Sequence, residues 1–415
     1  MSVFVAGPGK HLFLLLRSAR VQPLRTKLGG PPRPDLVVIP CQYPSSVGEW
    51  RDDLPDSVRE QIRSGKATIV FDGSGEGAPH SPETTEAMHA LLGRLGAETW
   101  RACLITQNRT HRDAYAAYCA ARGVGRPMPV LVYDFWIKLF FQPHEATGEA
   151  VLERRLQAFR NRSSRRARRF VSLNWSLRPS KAFFLLRLMR DGLWDDGFIS
   201  FGGMERMTAF GKGGPPQLSK RMRAMAGFED LHQALEPYLP RLQAVGPVRL
   251  GGLIEEPNGA QLAADDPQLQ SYDQSWFSAV TESEMSDEPA RITEKPFKSL
   301  VNFHPIVLFG NPGALAMIRE FGFRTFAEVI DESYDQEPDP RRRFEMAYAE
   351  FIRLCSRDEA ELADMERRIS ETLEFNARFG LTRLPALFRD EIDRTLVDQL
   401  VALHRGGAPP APPSD

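Results

Sequence analysis

The sequence predicts an α/β protein with two Rossmann-like domains that face each other across a cleft, followed by C-terminal helices. Three observations lead to this prediction. Short apolar runs alternate with helix-like stretches in the first third of the chain, the alternation starts again near residue 170, and the last quarter has a helical pattern. Alternating strands and helices form parallel sheets covered by helices, and such sheets bind ligands at the carboxyl ends of their strands.

Composition places the chain among globular proteins. Its residues are 42% hydrophobic and 26% charged, so the chain can bury a core, and its length of 415 residues is enough for two or three domains. The formal net charge of -1 indicates no particular partner. Four scattered cysteines without a paired CxxC motif favour a reducing compartment, so we expect a cytoplasmic protein. No apolar run reaches the roughly 18 residues that a membrane span requires, so we also expect a soluble one.

The first predicted domain covers residues 1–165. Its N-terminal apolar stretch is predicted to be a strand rather than a signal peptide, because no small-residue cleavage site follows it. A helix is predicted over 81–95, where Ser81 can cap and Pro82 suits the first turn. Further buried strands are predicted at apolar runs bounded by turn residues, namely 36–39, 67–71, 103–106 and 129–133.

The second predicted domain covers residues 166–340. We expect residues 341–405 to be helical, because Glu and Arg recur there at spacings of three and four, and residues 406–415 to be disordered by composition. The strands of the second domain are predicted at 170–174, 198–201, 276–281 and 306–309, with helices at 179–190 and 295–303.

The most informative motif is Thr293-Glu294-Lys295-Pro296, with Lys298 one turn later. Thr293 can cap a helix at this point, and a helix start after a strand attracts phosphate, an attraction that Lys295 or Lys298 strengthens. Glu294 can accept hydrogen bonds from ribose hydroxyls. The structural alternative is that Glu294 only favours the helix dipole and that the lysines are solvated.

A second anion-binding pattern combines a strand, a basic turn and a helix start at residues 170–190. Arg178 lies in the turn, and Lys181 lies in the first helical turn. The alternative is a surface arginine before a helix-starting proline. Two such patterns in one domain together favour a phosphate-binding site.

Both patterns resemble those of a known family. The segment WFSAVTESEMSDEPARITEKPFKSLVNFHPIVLFG resembles the donor-binding signature of bacterial alpha-1,3-fucosyltransferases and of related bacterial and phage glycosyltransferase-like proteins. The segment FVSLNWSLRPSKAFFLLRLMRDGLWDDGFISF is similar to the opening element of their donor domain. The resemblance implies the two-domain GT-B architecture and the transfer of a sugar from a nucleotide-sugar donor to a hydroxyl acceptor, such as a glycan or glycoconjugate.

The resemblance also implies roles for individual residues. Glu294 would hold the donor ribose and Lys295 its phosphate, while Arg178 would contact the pyrophosphate with the help of Lys181. The upstream glutamate of the signature matches Glu282 or Glu284. The segment TESEMSDEPARI departs from the Phe-Glu-Asn-Ser core of fucosyltransferases, so only the general mode of donor binding carries over.

The catalytic base is predicted in the first domain. Residues 67–83 place Asp72, Glu76 and His80 in a glycine-rich loop after a strand. Glu76, between two glycines, is the first choice to take the acceptor proton, and Asp72 is the second. The alternative for Asp72 is that it satisfies backbone groups of the turn.

No metal or resident cofactor is expected. The sequence has no GxGxxG fingerprint, GxxxxGK[ST] loop, HExxH motif or paired CxxC, and it has no Asp-x-Asp clamp for a divalent ion. These observations predict metal-independent transfer.

The arginine-rich segment 162–169 supports an alternative function. It contains Arg162, Arg165, Arg166, Arg168 and Arg169, and clustered arginines can neutralise nucleic-acid phosphates in a non-catalytic binding or interaction protein. The run is short and lies where a linker helix is expected. We therefore favour a solvated helix face and expect no nucleic-acid partner.

Overall fold

The structure is a computed structural model that describes residues 1–6, 22–23, 33–41, 54–75, 77–204, 215–250, 267–286 and 288–407. The chain forms two compact units. The first contains the described residues of 1–138, 288–291 and 386–415, and the second contains those of 139–287 and 292–385. The second unit thus begins at residue 139, whereas the sequence places the domain boundary at 165.

The first unit contains a six-stranded sheet in which every neighbouring pair is parallel, in the order β2-β1-β3-β4-β5-β6. The predicted strands are present because their apolar runs are buried on both faces of the sheet. The strands are β1 Ser2–Val5, β2 Gln22–Pro23, β3 Leu36–Pro40, β4 Thr68–Gly73, β5 Ala102–Thr106 and β6 Val130–Val132.

The helices between these strands pack apolar side chains against the sheet. The predicted capping of the second helix is confirmed: the Ser81 hydroxyl accepts a hydrogen bond from the Thr84 N–H at 3.3 Å. That helix ends at Gly96, whose φ of 70° is a left-handed conformation that favours glycine. The helices are α1 Asp56–Arg63, α2 Pro82–Leu95, α3 His111–Ala121 and α4 Phe135–Phe141, the last of which contains the boundary between the units.

The second unit contains a four-stranded sheet, again with every neighbouring pair parallel, in the order β10-β9-β7-β8. The strands at 170–174 and 306–309 are confirmed to the residue. The strands are β7 Phe170–Asn174, β8 Gly197–Phe201, β9 Phe277–Thr281 and β10 Ile306–Phe309.

The helices of the second unit include the predicted helix over 179–190. The predicted helix over 295–303 is shorter than expected, because it ends at Leu300 and Phe303 then adopts a φ of 60°. The helices are α5 His144–Arg160, α6 Pro179–Arg190, α7 Pro215–Arg223, α8 Glu229–Leu235, α9 Leu239–Val245, α10 Pro267–Asp273, α11 Lys295–Leu300 and α12 Ala314–Glu320.

The predicted C-terminal helices are confirmed. Two π-helical segments, Phe379–Arg383 and Phe388–Ile392, interrupt them. The first unit includes the chain from Ala386 onward, where Lys138 binds Asp393 at 3.0 Å. The helices are α13 Pro340–Cys355, α14 Glu359–Arg368, α15 Ser370–Arg378, α16 Leu384–Leu387 and α17 Asp393–His404.

The fold class is therefore α/β, with two Rossmann-like units built on parallel sheets, together with C-terminal helices. Residues 408–415, which include most of the tail predicted to be disordered, lie outside the described residues. Within the described ranges, no helix combines the length and the apolar character needed to cross a bilayer.

Candidate functional site

The candidate site of the second unit lies where its sheet changes direction. The chain passes from β7 to β8 on one side of β7 and later adds β9 on the other side. The carboxyl ends of β7 and β9 are thus neighbours at a topological switch point, where open parallel sheets bind their ligands. Arg178 and Lys181 follow β7, and Glu282 and Glu284 follow β9.

The start of α6 brings two cations to this point. Arg178 is the N-cap residue, and its guanidinium lies 3.7 Å from the Glu284 carboxylate. Lys181, one turn further, is only 3% exposed. Ser180 contacts the carbonyl oxygen of Ser283 at 3.4 Å, so the helix start is also linked to the segment after β9.

Lys181 is a buried cation that makes no hydrogen bond or ion pair with a described residue. Burial and the nearby charges of Lys295 and Arg178 hold the pKa of the Lys181 ammonium well below its usual range, and the nearby Glu282 and Glu294 only partly oppose this shift. A buried ammonium without a bonded partner is costly to fold. This position therefore favours a bound anion.

Glu282 organises the opposite side of the site. Its carboxylate is buried, and it accepts hydrogen bonds from the Thr293 N–H at 3.0 Å, from the Thr293 hydroxyl at 2.8 Å and from Lys295 Nζ at 3.3 Å. Such charge-assisted bonds are stronger than neutral ones. Glu282 therefore closes the loop between β9 and α11 by tying its first residue to its last ones.

Lys295 occupies the end of that loop. Its ammonium donates to the Thr293 hydroxyl at 2.7 Å and to the Ser283 hydroxyl at 3.3 Å, and one fifth of its side chain remains exposed. The predicted N-cap role of Thr293 is not observed: Glu294 is the N-cap residue, and the Thr293 hydroxyl donates to Glu282 instead. Because α11 has only six residues, the cations rather than a helix dipole provide the positive charge here.

Glu294 and Lys298 form a pair, with Lys298 Nζ 3.4 Å from the Glu294 carboxylate. Burial opposes the ionisation of Glu294, but the charges of Lys295 and Lys298 outweigh it and lower the pKa of the carboxyl to about 2. Glu294 is therefore ionised at neutral pH and can accept hydrogen bonds from neutral hydroxyl groups. Lys298, predicted as a further phosphate contact, is engaged with Glu294.

The structure thus brings all the predicted donor-binding residues to one end of one sheet. Both glutamates that the sequence offers after β9 are present there, Glu282 buried against Thr293 and Glu284 beside Arg178. The group combines cations, which bind an anion, with a carboxylate that can receive hydroxyl groups. This combination can accommodate a ligand that carries both phosphate and hydroxyl groups.

The glycine-rich loop of the predicted base, within residues 67–83 and called the base loop, belongs to the first unit. Glu76 lies outside the described residues, so its role stays a prediction. Asp72 is buried at the end of β4, where its Oδ1 accepts hydrogen bonds from the Ser74 hydroxyl at 2.6 Å and from the Ser74 N–H at 3.1 Å. These two contacts agree with the alternative for Asp72, in which its carboxylate accepts hydrogen bonds from groups of the turn.

Sequence reasoning missed two residues that hold the loop after β9. Arg343 is buried on α13 and donates to the carbonyl oxygens of Met285 and Gly310, and Asn311 donates to the Ser286 carbonyl at 2.7 Å. No local signal identifies them, because a helical arginine and an asparagine after a strand are both common surface residues. Their partners are backbone carbonyls, which every sequence position offers.

The arginine-rich segment is not a solvated helix face. The segment connects α5 to β7, and the Arg162 and Arg166 side chains are buried. Arg162 donates to Asp273 at 2.9 Å, while Arg166 binds Glu366 and lies over the Trp276 ring. These contacts pair both guanidinium charges with carboxylates inside the second unit, while Arg166 Nε has no hydrogen-bond partner among the described residues. They contradict both the predicted solvated face and a nucleic-acid surface built from the whole segment.

Comparisons with known proteins give limited similarity. No protein-family model matches the sequence, and no curated protein matches it significantly. An alpha,alpha-trehalose-phosphate synthase (UDP-forming) from Burkholderia vietnamiensis is similar in structure, with 15% identity, a TM-score of 0.41, and coverage of 89% of this chain and 73% of that chain. A UDP-forming enzyme of the same name from Burkholderia xenovorans has 14% identity, a TM-score of 0.39, and coverage of 90% and 74%.

Proposed function

We propose that this chain is a glycosyltransferase of the GT-B type that transfers a sugar from a nucleotide-sugar donor to a hydroxyl acceptor. The donor is bound at the carboxyl end of the second sheet, in the manner that the resemblance to bacterial alpha-1,3-fucosyltransferases implies. The geometry of the site supports this proposal, and the similarity to the two synthases is not needed for it.

A single observation carries the proposal. Lys181 is a buried ammonium near Arg178 and Lys295, and it makes no bond to a described residue. A nucleoside diphosphate offers two adjacent phosphates that could neutralise such a group of cations. Binding would restore the pKa of Lys181 toward its usual range, because a phosphate favours the charged form of the ammonium.

The other residues fit the remaining parts of the donor. Arg178 and Lys295 contact the diphosphate together with Lys181, and Glu294 accepts hydrogen bonds from the ribose hydroxyls. Lys298 orients the Glu294 carboxylate through their ion pair. Each assignment matches a predicted role, except that Lys298 acts through Glu294 rather than on the phosphate.

The reaction then proceeds by displacement at the anomeric carbon. The acceptor oxygen forms a bond to that carbon, and the bond from the carbon to the phosphate oxygen breaks, so the nucleoside diphosphate leaves with the electron pair. Glu76, or Asp72 as second choice, takes the acceptor proton. Arg178, Lys181 and Lys295 stabilise the growing negative charge of the leaving group, which is the role that a metal ion plays elsewhere. We therefore expect transfer without a divalent ion. Because the four cysteines are scattered and favour a reducing compartment, we also expect the protein to act in the cytoplasm.

Thermal unfolding with ADP, GDP and UDP, each measured with and without EDTA, tests the proposal. At least one diphosphate should raise Tm equally under both conditions, because a ligand at 100 times its Kd stabilises a protein by about 2.7 kcal/mol. A shift that EDTA abolishes would contradict metal independence. The absence of any shift with all three would contradict the proposed function.

The predicted base requires a separate measurement with the nucleotide sugar of the diphosphate that binds. Glu76→Gln should bind the diphosphate as wild type does but transfer the sugar roughly 100-fold more slowly or worse, as expected for the loss of a proton acceptor. Full transfer by Glu76→Gln would move the role to Asp72 or to another group.

A further inference from the structure

The loop between β9 and α11, residues 282–295, is the donor loop. Its two ends carry Glu282 and Lys295 and belong to the second unit, but its middle, Glu288–Arg291, belongs to the first unit. Presenting donor-binding residues at its two ends does not require the middle of the loop to pack in the first unit.

Three hydrogen bonds hold the middle of the donor loop. The Asn108 Oδ1 accepts from the Ala290 N–H at 3.0 Å, the Arg109 N–H donates to the Ala290 carbonyl at 2.9 Å, and the Thr110 hydroxyl donates to the Glu288 carbonyl at 2.8 Å. All three come from the short segment that joins β5 to α3. The middle of the loop is thus bonded within the first unit.

Asn108 is the centre of this arrangement. Its side chain is fully buried, and Oδ1 also accepts from the Thr110 N–H at 3.1 Å. Its Nδ2 donates to the Ala78 carbonyl at 3.3 Å. Ala78 lies in the glycine-rich loop of the predicted base, two residues after Glu76 in the sequence. One side chain therefore bonds both the donor loop and the segment next to Glu76.

The same place is also closely packed. Gly77 has a φ of 56°, and a Cβ at this position would lie 2.9 Å from Arg291 Cδ and 3.0 Å from Gln107 Cβ. A side chain here would be strained by the backbone conformation and would collide with the donor loop. The base loop and the donor loop are therefore in direct contact at Gly77, beside the Asn108 hydrogen bonds.

We propose that Asn108 is a positioning residue for the transfer reaction, which holds the middle of the donor loop, Glu288–Arg291, next to the loop of the predicted base within the first unit. This inference rests on the proposed function. Its physical basis is preorganisation: a loop that is already ordered loses less conformational entropy when the diphosphate binds. The two halves of the Asn108 amide have separate tasks, Oδ1 for the donor loop and Nδ2 for the base loop.

Two substitutions separate these tasks. Asn108→Ala removes the hydrogen bonds of both Oδ1 and Nδ2. Its Kd for the diphosphate that binds wild type should therefore rise about tenfold, which corresponds to about 1.4 kcal/mol. Asn108→Asp, measured at a pH at which its carboxyl is ionised, keeps the acceptor for Ala290 and Thr110 but loses the donor to Ala78. It should bind the diphosphate within about threefold of wild type while its kcat for transfer falls, because only the base loop is released.

Asn376→Ala is the matched control. Asn376 is also fully buried and bonds a neighbouring segment through both halves of its amide, with the Arg324 N–H at 2.9 Å and the Arg324 carbonyl at 2.8 Å. Asn376→Ala should lose stability as Asn108→Ala does, but its Kd for the diphosphate should equal that of wild type. The milder Thr110→Val, at an exposed position, removes the contact to Glu288 and should raise Kd in the same direction by about threefold.

Hydrogen exchange without ligand gives a second readout. The amide of Ala290 should exchange faster in Asn108→Ala than in wild type or in Asn376→Ala, because its acceptor is lost. The inference is overturned if both Asn108→Ala and Thr110→Val bind the diphosphate with the wild-type Kd, or if the control loosens binding equally. If wild type binds none of ADP, GDP and UDP, the proposed function and this inference fail together, and that result is distinct from the first two.

Discussion

Two groups of buried cations in the second unit differ in how their charges are satisfied. In the arginine-rich segment, Arg162 and Arg166 donate to Asp273, Glu366 and backbone carbonyls. At the candidate site, Lys181 is buried to a similar degree but makes no bond to a described residue. Both groups are rich in positive charge, so charge alone does not distinguish them.

The comparison shows that a buried cation indicates a function only when its partners inside the fold are known. A buried ion is tolerated when hydrogen bonds and an opposite charge compensate for lost hydration, and it is costly otherwise. The charges of Arg162 and Arg166 are therefore paired inside the fold, whereas Lys181 has no ion pair with a described residue, which supports the proposed diphosphate site. From the sequence alone, the arginine run is the more conspicuous of the two, although Lys181 is the better functional candidate.

The largest effect expected from this comparison is on stability. Arg166→Met should lower the free energy of unfolding by about 3–5 kcal/mol, because it removes one partner of a buried ion pair together with the contact to Trp276. Arg165→Met is the control, since the Arg165 side chain is 91% exposed, and it should change stability by less than about 0.5 kcal/mol. Denaturant unfolding of both variants measures this. Equal stability of the two variants would remove the distinction between satisfied and exposed arginines.

The next effect concerns acid stability. The folded-state pKa of Glu294 is lowered to about 2 from 4.5, so the carboxylate contributes stability above about pH 4.5 that is lost as the pH falls toward 2. The contribution is roughly 3 kcal/mol, since one pKa unit corresponds to about 1.4 kcal/mol. Glu294→Gln should lose this part of the pH dependence, measured by unfolding between pH 2 and 6. The exposed Glu153→Gln should retain it, and the same acid profile in both variants would contradict the assignment.

A smaller effect separates Lys295 from Glu294. Lys295→Ala should weaken binding of a ribonucleoside diphosphate and of its 2',3'-dideoxy analogue alike, by roughly 1.5–3 kcal/mol, because it removes a contact to charged phosphate. Glu294→Ala should weaken the ribonucleotide far more than the analogue, which lacks the hydroxyls. Calorimetric titration checks both variants after circular dichroism shows that they are folded. Binding of both ligands by both variants as in wild type would leave the donor assignment without support.

The sequence predicted local elements well where the chain itself contains the signal. The strands at 170–174 and 306–309 and the helix at 179–190 agree with the structure to the residue, because each apolar run is bounded by proline, glycine or polar residues. The helix at 295–303 is too long in the prediction, since the positive φ of Phe303 has no sequence signal in a phenylalanine.

Contacts between distant residues were not predictable. Arg162 and Asp273 are 111 positions apart, and Arg166 and Glu366 are 200 apart, so nothing near the arginines shows that they are neutralised inside the fold. The donor loop is a similar case. The sequence predicts Glu282, Glu294 and Lys295 at one site, but it gives no indication that Asn108 bonds Ala290 from 182 positions away.

The most direct test of the account compares Lys181→Met with wild type in two measurements, calorimetric titration with the diphosphate that binds wild type, in EDTA, and denaturant unfolding without ligand. Methionine keeps the length and the apolar stem of lysine and removes its charge. We predict that Lys181→Met loses at least about tenfold in affinity, equal to about 1.4 kcal/mol, while its free energy of unfolding stays the same or rises, because an unsatisfied buried charge has been removed. Two results would contradict the claim that Lys181 binds a phosphate of the diphosphate. One is wild-type affinity in Lys181→Met, and the other is a loss of stability like that of Arg166→Met without a loss of affinity.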